Sequence, residues 1–300
     1  MLELEALKVD VFTEEQLAGN PAAVILGADQ LDEMQMRRIA TEMGLRSTAF
    51  VLRSRKADVK LRYFTPFSEE PICGHSTIGS LWALAEQEAF GSSPGGRRRL
   101  ETMLGILPFQ IEVHPDGRKL IWMTQKRPLF SRVEEVTEIA SALGIGADAL
   151  FHEEFPLCRA STGIPCLLVP VRDLQTIENL SPKQDEVTTL AHELEVSAVY
   201  AYSWSVVDRE STVHARCFAV TPDYHEDPAS AMPAGALCSY LVENDFVPRE
   251  KAENMVVEQG TWLGRHSKIL TRIEKRGSSI RKVEVGGSAC TSLKGKIYLQ

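Results

Sequence analysis

The sequence predicts an α+β protein built as two half-similar lobes. Three observations predict it. Short apolar–polar alternations recur along the chain, helical spacing appears between them at intervals, and the order of elements in the first half returns in the second. The chain has 300 residues, 44% hydrophobic and 25% charged. That suits a soluble globular protein of two domains of about 100–150 residues each.

Leu7 to Phe12 alternates and reads as a strand. Ala18-Gly19-Asn20-Pro21 reads as a turn, followed by a strand from Ala22 to Leu26. Leu31 to Met43 has helical spacing, with Leu31, Met34, Met36, Ile39 and Met43 on one broad face. Strands follow at Thr48 to Leu52 and Val59 to Phe64, then a loop and an Ala- and Leu-rich helix from about Ser76 to Glu86.

The second half repeats this order. Thr162-Gly163-Ile164-Pro165 precedes a strand from Cys166 to Val171, as Gly19-Asn20-Pro21 precedes its own. Leu190 to Leu194 precedes the strand Ala198 to Tyr202, as Ile39 to Met43 precedes Thr48 to Val51. Arg216-Cys217-Phe218 closes a strand, as Arg62-Tyr63-Phe64 does. An acid–Pro pair then leads into a small-residue helix, Glu70-Pro71 in one half and Asp227-Pro228 in the other. Matches in the same order indicate a duplicated unit of roughly 150 residues. The expected division is an N-terminal lobe of residues 1–126, which 288–300 could complete, and a C-terminal lobe of 127–287. The last strands, near Lys282 to Val285 and Lys296 to Leu299, flank Gly286-Gly287, read as a turn.

Composition narrows the function. A net charge of −8 and a pI near 5.5 give no general reason to bind nucleic acid or an anionic membrane. The basic cluster Arg97-Arg98-Arg99, after the Gly/Ser/Pro-rich run 91–96, reads as a solvated loop tip. Six cysteines, at 73, 158, 166, 217, 238 and 290, form no CxxC pair and no zinc-spaced cluster. Reduced thiols in a cytoplasmic protein are the expectation. The first ten residues are no signal peptide, and no apolar run reaches the ~18 residues of a membrane span. No GxGxxG follows a strand and no P-loop is present, so no cofactor is expected.

Two loop-to-helix junctions could carry chemistry. One is Pro71-Ile72-Cys73-Gly74-His75-Ser76-Thr77, the other Glu226-Asp227-Pro228-Ala229-Ser230-Ala231. A helix start offers backbone N–H groups and partial positive charge, a ready site for a carboxylate. If the lobes are related by a pseudo-twofold, both junctions can face one cleft and clamp a small acidic substrate. The plain alternative is that both are only helix caps, Asp227 among them. His75 has an unperturbed pKa suited to proton transfer, and with Asp227 it would form an acid/base pair able to move a proton between two carbons. Cys73 could also be an acid or base, as in two-thiol epimerases. The opposite junction then needs a second thiol, where Ala231 and Met232 stand, and Cys238 is about two turns into its helix. A small packed residue is the simpler reading of Cys73.

The motifs Val9-Asp10-Val11-Phe12-Thr13, Gly19-Asn20-Pro21-Ala22-Ala23-Val24, Arg62-Tyr63-Phe64-Thr65-Pro66, Cys73-Gly74-His75, Glu226-Asp227-Pro228-Ala229 and Gln259-Gly260 with Gly264-Arg265 resemble the phenazine-biosynthesis F (PhzF-like) isomerases of the diaminopimelate epimerase superfamily. The resemblance runs from about residue 7 to the C-terminus. It implies two lobes, each a curved mixed sheet or barrel wrapped around a central helix. It implies proton transfer on a small carboxylated substrate without cofactor or metal, and a homodimer. It implies catalytic roles for His75 and Asp227, with Ser47, Cys73, Gly74, Ser76, Ser230, Ala231 and Met232 against the substrate. The sequence departs from the family in two places. Ser47 stands where the family carries a catalytic glutamate, and Ala231-Met232 where it carries Gly-Ser. A serine hydroxyl does not carry protons near neutral pH as a carboxylate does. The expected function is therefore an isomerase or epimerase using His75 and Asp227. The alternative is a non-catalytic relative that keeps the site for ligand binding or protein contact.

Overall fold

The computed structural model describes residues 1–91, 96–221 and 224–300. By its internal contacts the chain divides into two units, Met1–Thr124 with Gly286–Gln300, and Gln125–Val285.

In the first unit the alternating segments become β1 (Leu2–Val11), β2 (Asn20–Leu26), β3 (Thr48–Leu52), β4 (Val59–Phe64), the short β5 (Glu69–Glu70), β6 (Arg97–Thr102), β7 (Gly105–Val113) and β8 (Lys119–Thr124). Its helices are α1 (Glu33–Met43) and α2 (Gly74–Glu86). β1 is antiparallel to β2, β2 parallel to β3, and β3 antiparallel to β4. β4 takes β5 antiparallel and β6 parallel, and antiparallel β7 and β8 follow. The C-terminal strand β18 (Ala289–Leu299) lies antiparallel on β1.

The second unit has β9 (Leu129–Arg132), β10 (Cys158–Ser161), β11 (Pro165–Pro170), β12 (Ala198–Ser203), β13 (Val213–Thr221), β14 (Tyr224–Asp227), β15 (Met255–Gln259), β16 (Ser267–Arg276) and β17 (Ser279–Gly287). Its helices are α3 (Val136–Ala142), α4 (Leu174–Glu178), α5 (Gln184–Glu193) and α6 (Ala231–Glu243). The pairings repeat those of the first unit. β9 is antiparallel to β10, β10 antiparallel to β11, β11 parallel to β12, and β12 antiparallel to β13. β13 takes β14 antiparallel and β15 parallel, and β16 is antiparallel to β15. The duplication read from short motifs is thus a duplication of topology, with β18 on β1 matching β9 on β10.

Each unit has an outer and an inner helix layer. In the first, Met36, Ile39 and Ala40 of α1 pack on Phe50 and Phe64. Strand alternation sends the neighbouring residues to the opposite face. There Tyr63 meets α2 through a 2.6 Å hydrogen bond to Thr77. α2 packs on β1, β2, β3, β8 and β18, and ten of its thirteen residues are buried. A helix enclosed this way cannot keep a polar stripe. Its hydroxyls instead bond back to the preceding turn, Thr77 to the Cys73 carbonyl and Ser80 to that of Ser76, each at 2.7 Å. In the second unit Val187, Leu190 and Ala191 of α5 cover Val199, Ala201 and Phe218, while the enclosed helix is α6, packed on β10, β11 and β16.

Three readings of the sequence are corrected. Met34 is 66% exposed and lies off the buried face of α1, which Met36, Ile39 and Ala40 form; Leu31 is buried with them but precedes the helix and its N-cap Asp32. Arg97 to Arg99 are not a loop tip but the start of β6, with Arg98 donating to the Phe90 carbonyl and stacked 5.1 Å from its ring; Ser92 to Gly95 lie outside the described residues. Gly286-Gly287 is the end of β17 and not a turn. The glycines are there for packing: a Cβ would come within 2.6 Å of the Trp122 ring at 286 and 2.7 Å of the Phe12 ring at 287. No helix among the described residues is long and apolar enough to cross a membrane.

Arg216 ties the second unit's outer layer to β14. It grips Glu226 with two hydrogen bonds of 2.8 and 2.7 Å and donates to the carbonyls of Ile177, Glu178 and Leu180 at the end of α4. Its counterpart Arg62 grips Glu69 with two bonds of 2.6 Å, but Arg62 is the more exposed of the two arginines, at 24% against 10%. Breaking a buried pair from one side costs about 3–5 kcal/mol. Arg216→Ala is expected to cost in that range and Arg62→Ala less, as read from urea unfolding midpoints.

Candidate active site

The two acid–Pro junctions fold alike. Tyr63 lies opposite Glu70 and Phe64 opposite Glu69; Cys217 lies opposite Asp227 and Phe218 opposite Glu226. Glu70 therefore occupies in the first unit the place of Asp227 in the second. Each acid stands three residues before the N-cap of its buried helix, Cys73 for α2 and Ser230 for α6.

At the head of α2, His75 is in the first turn and 5% exposed. The Cys73 Sγ lies 3.5 Å from its Nδ1 and 4.0 Å from its Nε2. Burial works to raise the Cys73 thiol, but the charge of His75 and the hydrogen bond to it pull the other way and prevail, so its pKa is lowered; Glu70 opposes this from nearby. Gly74 and Ser76 complete the turn, Ser76 fully buried. Ser47 precedes β3, where its carbonyl accepts from Ala23 at 3.3 Å. Ala49 lies opposite Tyr63, so alternation puts Ser47 on the α2-facing side. Its side chain is fully buried and its hydroxyl has no hydrogen-bond partner.

At the head of α6, Asp227 is 6% exposed. It is not the N-cap: it ends β14, and its carboxylate accepts the Ser230 hydroxyl at 2.5 Å. The N-cap Ser230 has no capping bond to its own helix, because its hydroxyl is turned to Asp227. Ala231 and Met232 form the first turn. The Ala231 carbonyl accepts from Gln125 at 2.9 Å and the Met232 carbonyl from Thr162 at 3.3 Å. The Met232 methyl lies over Gly163, where a Cβ would come within 2.9 Å of it.

Sequence reasoning missed what seats this junction. Gln259 is 1% exposed. Its Nε2 donates to the Asp227 carbonyl at 2.5 Å and the Ser230 hydroxyl at 3.3 Å, and its Oε1 accepts from Ser230 N at 3.2 Å and the Tyr200 hydroxyl at 2.9 Å. Gly260 has φ +81, and a Cβ there would fall 2.3 Å from the Arg265 carbonyl oxygen and 2.6 Å from that of Pro228. The signal was present as the Gln259-Gly260 and Gly264-Arg265 motifs, but nothing local in them points to residues 227–230.

A family model described as "Phenazine biosynthesis-like protein" matches residues 9–295. The chain belongs to that family. Among its relatives, the "Uncharacterized isomerase YfhB" of Bacillus subtilis is 33% identical over 97% of this chain and 98% of its own. The trans-2,3-dihydro-3-hydroxyanthranilate isomerase of Pseudomonas aeruginosa is 28% identical over 97% of this chain and 98% of its own. The crystal structure of a PhzF-family phenazine biosynthesis protein of Bacillus anthracis superposes with a TM-score of 0.90, at 28% identity and full coverage of both chains. The α+β fold is therefore that of this phenazine biosynthesis-like family.

Gly260→Ala tests the seating of Asp227. A residue forced to hold a left-handed conformation costs about 1–3 kcal/mol, and this one also pushes on the Pro228 carbonyl. The expected outcome is a stability loss of that size by urea unfolding, with Gly264→Ala, whose Cβ meets nothing within 4 Å, costing less.

Proposed function

We propose that this phenazine biosynthesis-like protein is an isomerase that moves a proton between carbons of one small carboxylated substrate, with His75 and Asp227 as proton carriers. The observation that supports this reading is the pairing of two like-built junctions. Each holds a buried titratable side chain at the start of an enclosed helix, His75 at 5% and Asp227 at 6% exposure. A helix start favours a carboxylate through its N–H groups and partial positive charge. An imidazole and a carboxyl group in water-poor surroundings are suited to take and return a proton. The chemistry needs no redox step. One carrier removes a proton from carbon, the C–H electron pair passes into the conjugated carboxylate as an enolate, and the other carrier returns a proton to a second carbon. The names of the relatives support the isomerase class. Ser47, Gly74, Ser76, Ser230, Ala231 and Met232 are proposed to line the substrate.

Ser47 bears on a second reading, in which the site binds a ligand without turning it over. A hydroxyl stands there where the family resemblance implies a glutamate, and it cannot take that group's share of the proton transfer.

The two readings separate in D2O. The protein is incubated with trans-2,3-dihydro-3-hydroxyanthranilate and a panel of α-amino and α-hydroxy acids, and deuterium entering at carbon is followed by NMR. Exchange is expected for at least one probe, falling about 10²–10⁴-fold in His75→Ala and in Asp227→Asn. Calorimetric binding without exchange by the wild type would establish the second reading.

A further inference from the structure

We propose that Gln259 and Ser230 are positioning residues for Asp227: a one-way chain of hydrogen bonds starting at Gln259 commits the single hydroxyl proton of Ser230 to the Asp227 carboxylate and holds that carboxylate in one orientation. This deepens the proton-transfer reading and rests on it.

The chain lies wholly within the second unit. It joins Tyr200 of β12, Asp227 at the end of β14, Ser230 at the head of α6 and Gln259 at the end of β15. All four residues are buried, and buried polar groups need partners of their own.

Two backbone groups set the direction of the chain. A glutamine amide has an oxygen that accepts and a nitrogen that donates. The Ser230 N–H can only donate, and it meets Oε1 at 3.2 Å. The Asp227 carbonyl can only accept, and it lies 2.5 Å from Nε2. Turned over, the amide would set N–H against N–H and oxygen against oxygen. The Tyr200 hydroxyl, donating to Oε1 at 2.9 Å, braces the same orientation. The second Nε2 proton then reaches the Ser230 Oγ at 3.3 Å. With that oxygen accepting from Gln259, the one proton Ser230 owns goes to the Asp227 Oδ2 at 2.5 Å. A hydroxyl donating to a carboxylate makes a charge-assisted bond, roughly twice as strong as a neutral one.

The helix shows independently what this hydroxyl serves. A serine at an N-cap ordinarily turns its oxygen to the N–H groups of its own helix. Ser230 forgoes that bond and faces Asp227. A local rule broken at a buried junction marks a position set by function rather than by folding. A proton carrier acts only within hydrogen-bond reach of the proton it moves, and a misplacement of about 1 Å costs roughly 100-fold in rate.

Solvent exchange tests it. The assay uses the probe of the D2O panel that the wild type exchanges, trans-2,3-dihydro-3-hydroxyanthranilate first, and reads kcat and KM separately. Gln259→Glu keeps the size and the acceptor but has no N–H for the Asp227 carbonyl or for Ser230. Ser230→Ala and Gln259→Glu are each expected to lower kcat about 10–100-fold, with KM unchanged and a cooperative melt. Ser230→Thr, which keeps a hydroxyl, is expected to recover most of the rate. Tyr200→Phe, which leaves the Ser230 N–H on Oε1, is expected to lose less than Gln259→Glu. A merely structural role would lower the melting temperature and leave kcat alone. A cooperatively folded Ser230→Ala protein with the wild-type kcat, or a Ser230→Thr protein no faster than Ser230→Ala, overturns the proposal; should Gln259→Glu not fold, the Ser230 variants decide. Asp227→Asn separates the two readings. If it exchanges as fast as the wild type, or if the wild type exchanges no probe, the proton-transfer reading falls and takes this proposal with it. If Asp227→Asn is inactive while Ser230→Ala keeps the wild-type kcat, this proposal alone falls.

Discussion

The structure depends on one constraint: each unit encloses a helix whose first turn begins inside the protein. A helix start has four backbone N–H groups without intrahelical partners, and an interior position denies them water. The head of α6 shows how this demand is met. The sequence supplies no standard cap at either place, since neither Cys73 nor Ser230 bonds its own helix through the side chain. At α6 the Ser230 N–H is taken by Gln259, which also holds the Asp227 carbonyl. A polar framework that serves folding in this way leaves donors and partial positive charge at the same spot, which is what an anionic substrate requires.

The duplication keeps one scaffold and varies the side chains at its two helix heads. The strands leading to each helix pair in the same order and sense, and an arginine clamps the first acid of each hairpin, Arg62 on Glu69 and Arg216 on Glu226. Both arginines stack on the phenylalanine two residues on, at 5.0 and 4.9 Å. Past the clamp the halves diverge. Asp227 faces a serine hydroxyl, while its counterpart Glu70 precedes a cysteine whose sulfur faces an imidazole. The shared parts are those that fix backbone position, and the divergent parts are those that can hold or release a proton.

Much of this was legible in the chain. β4 falls on the residues whose alternation predicted it, Val59–Phe64, because a half-buried strand writes its period into side-chain polarity; β3 falls on the short apolar run Thr48–Leu52, buried on both faces. The helix heads were legible as small residues after an acid–Pro pair. The plain alternative for Asp227, a helix cap, rested on residue type and position; the structure makes Ser230 the N-cap, and its hydroxyl engages the Asp227 carboxylate. Gln259 was legible as part of a motif, but its bracing of residues 227–230 was not. Its partners lie 29 to 59 positions away, and a glutamine ending a strand has no local signature separating a buried bracket from a surface residue. Gly286 and Gly287 failed for a related reason. Glycine pairs mark turns when the chain must bend, but here they make room for two aromatic rings.

The contrast between Ser47 and Cys73 follows from size and acidity together. Both are small residues and both are buried, Cys73 as the N-cap of α2 and Ser47 just before β3. Burial opposes ionisation of either. A hydroxyl starts so far from neutrality that no single neighbour brings it into range, whereas a thiol starts near enough that one imidazole decides the sign of the shift. His75 is that neighbour, two residues along the same turn, where the helix fixes its distance from the sulfur. The direction of the shift at residue 73 is therefore set by local geometry, which places an imidazole 3.5 Å from its sulfur, and Ser47 has no such neighbour among its hydrogen-bond partners.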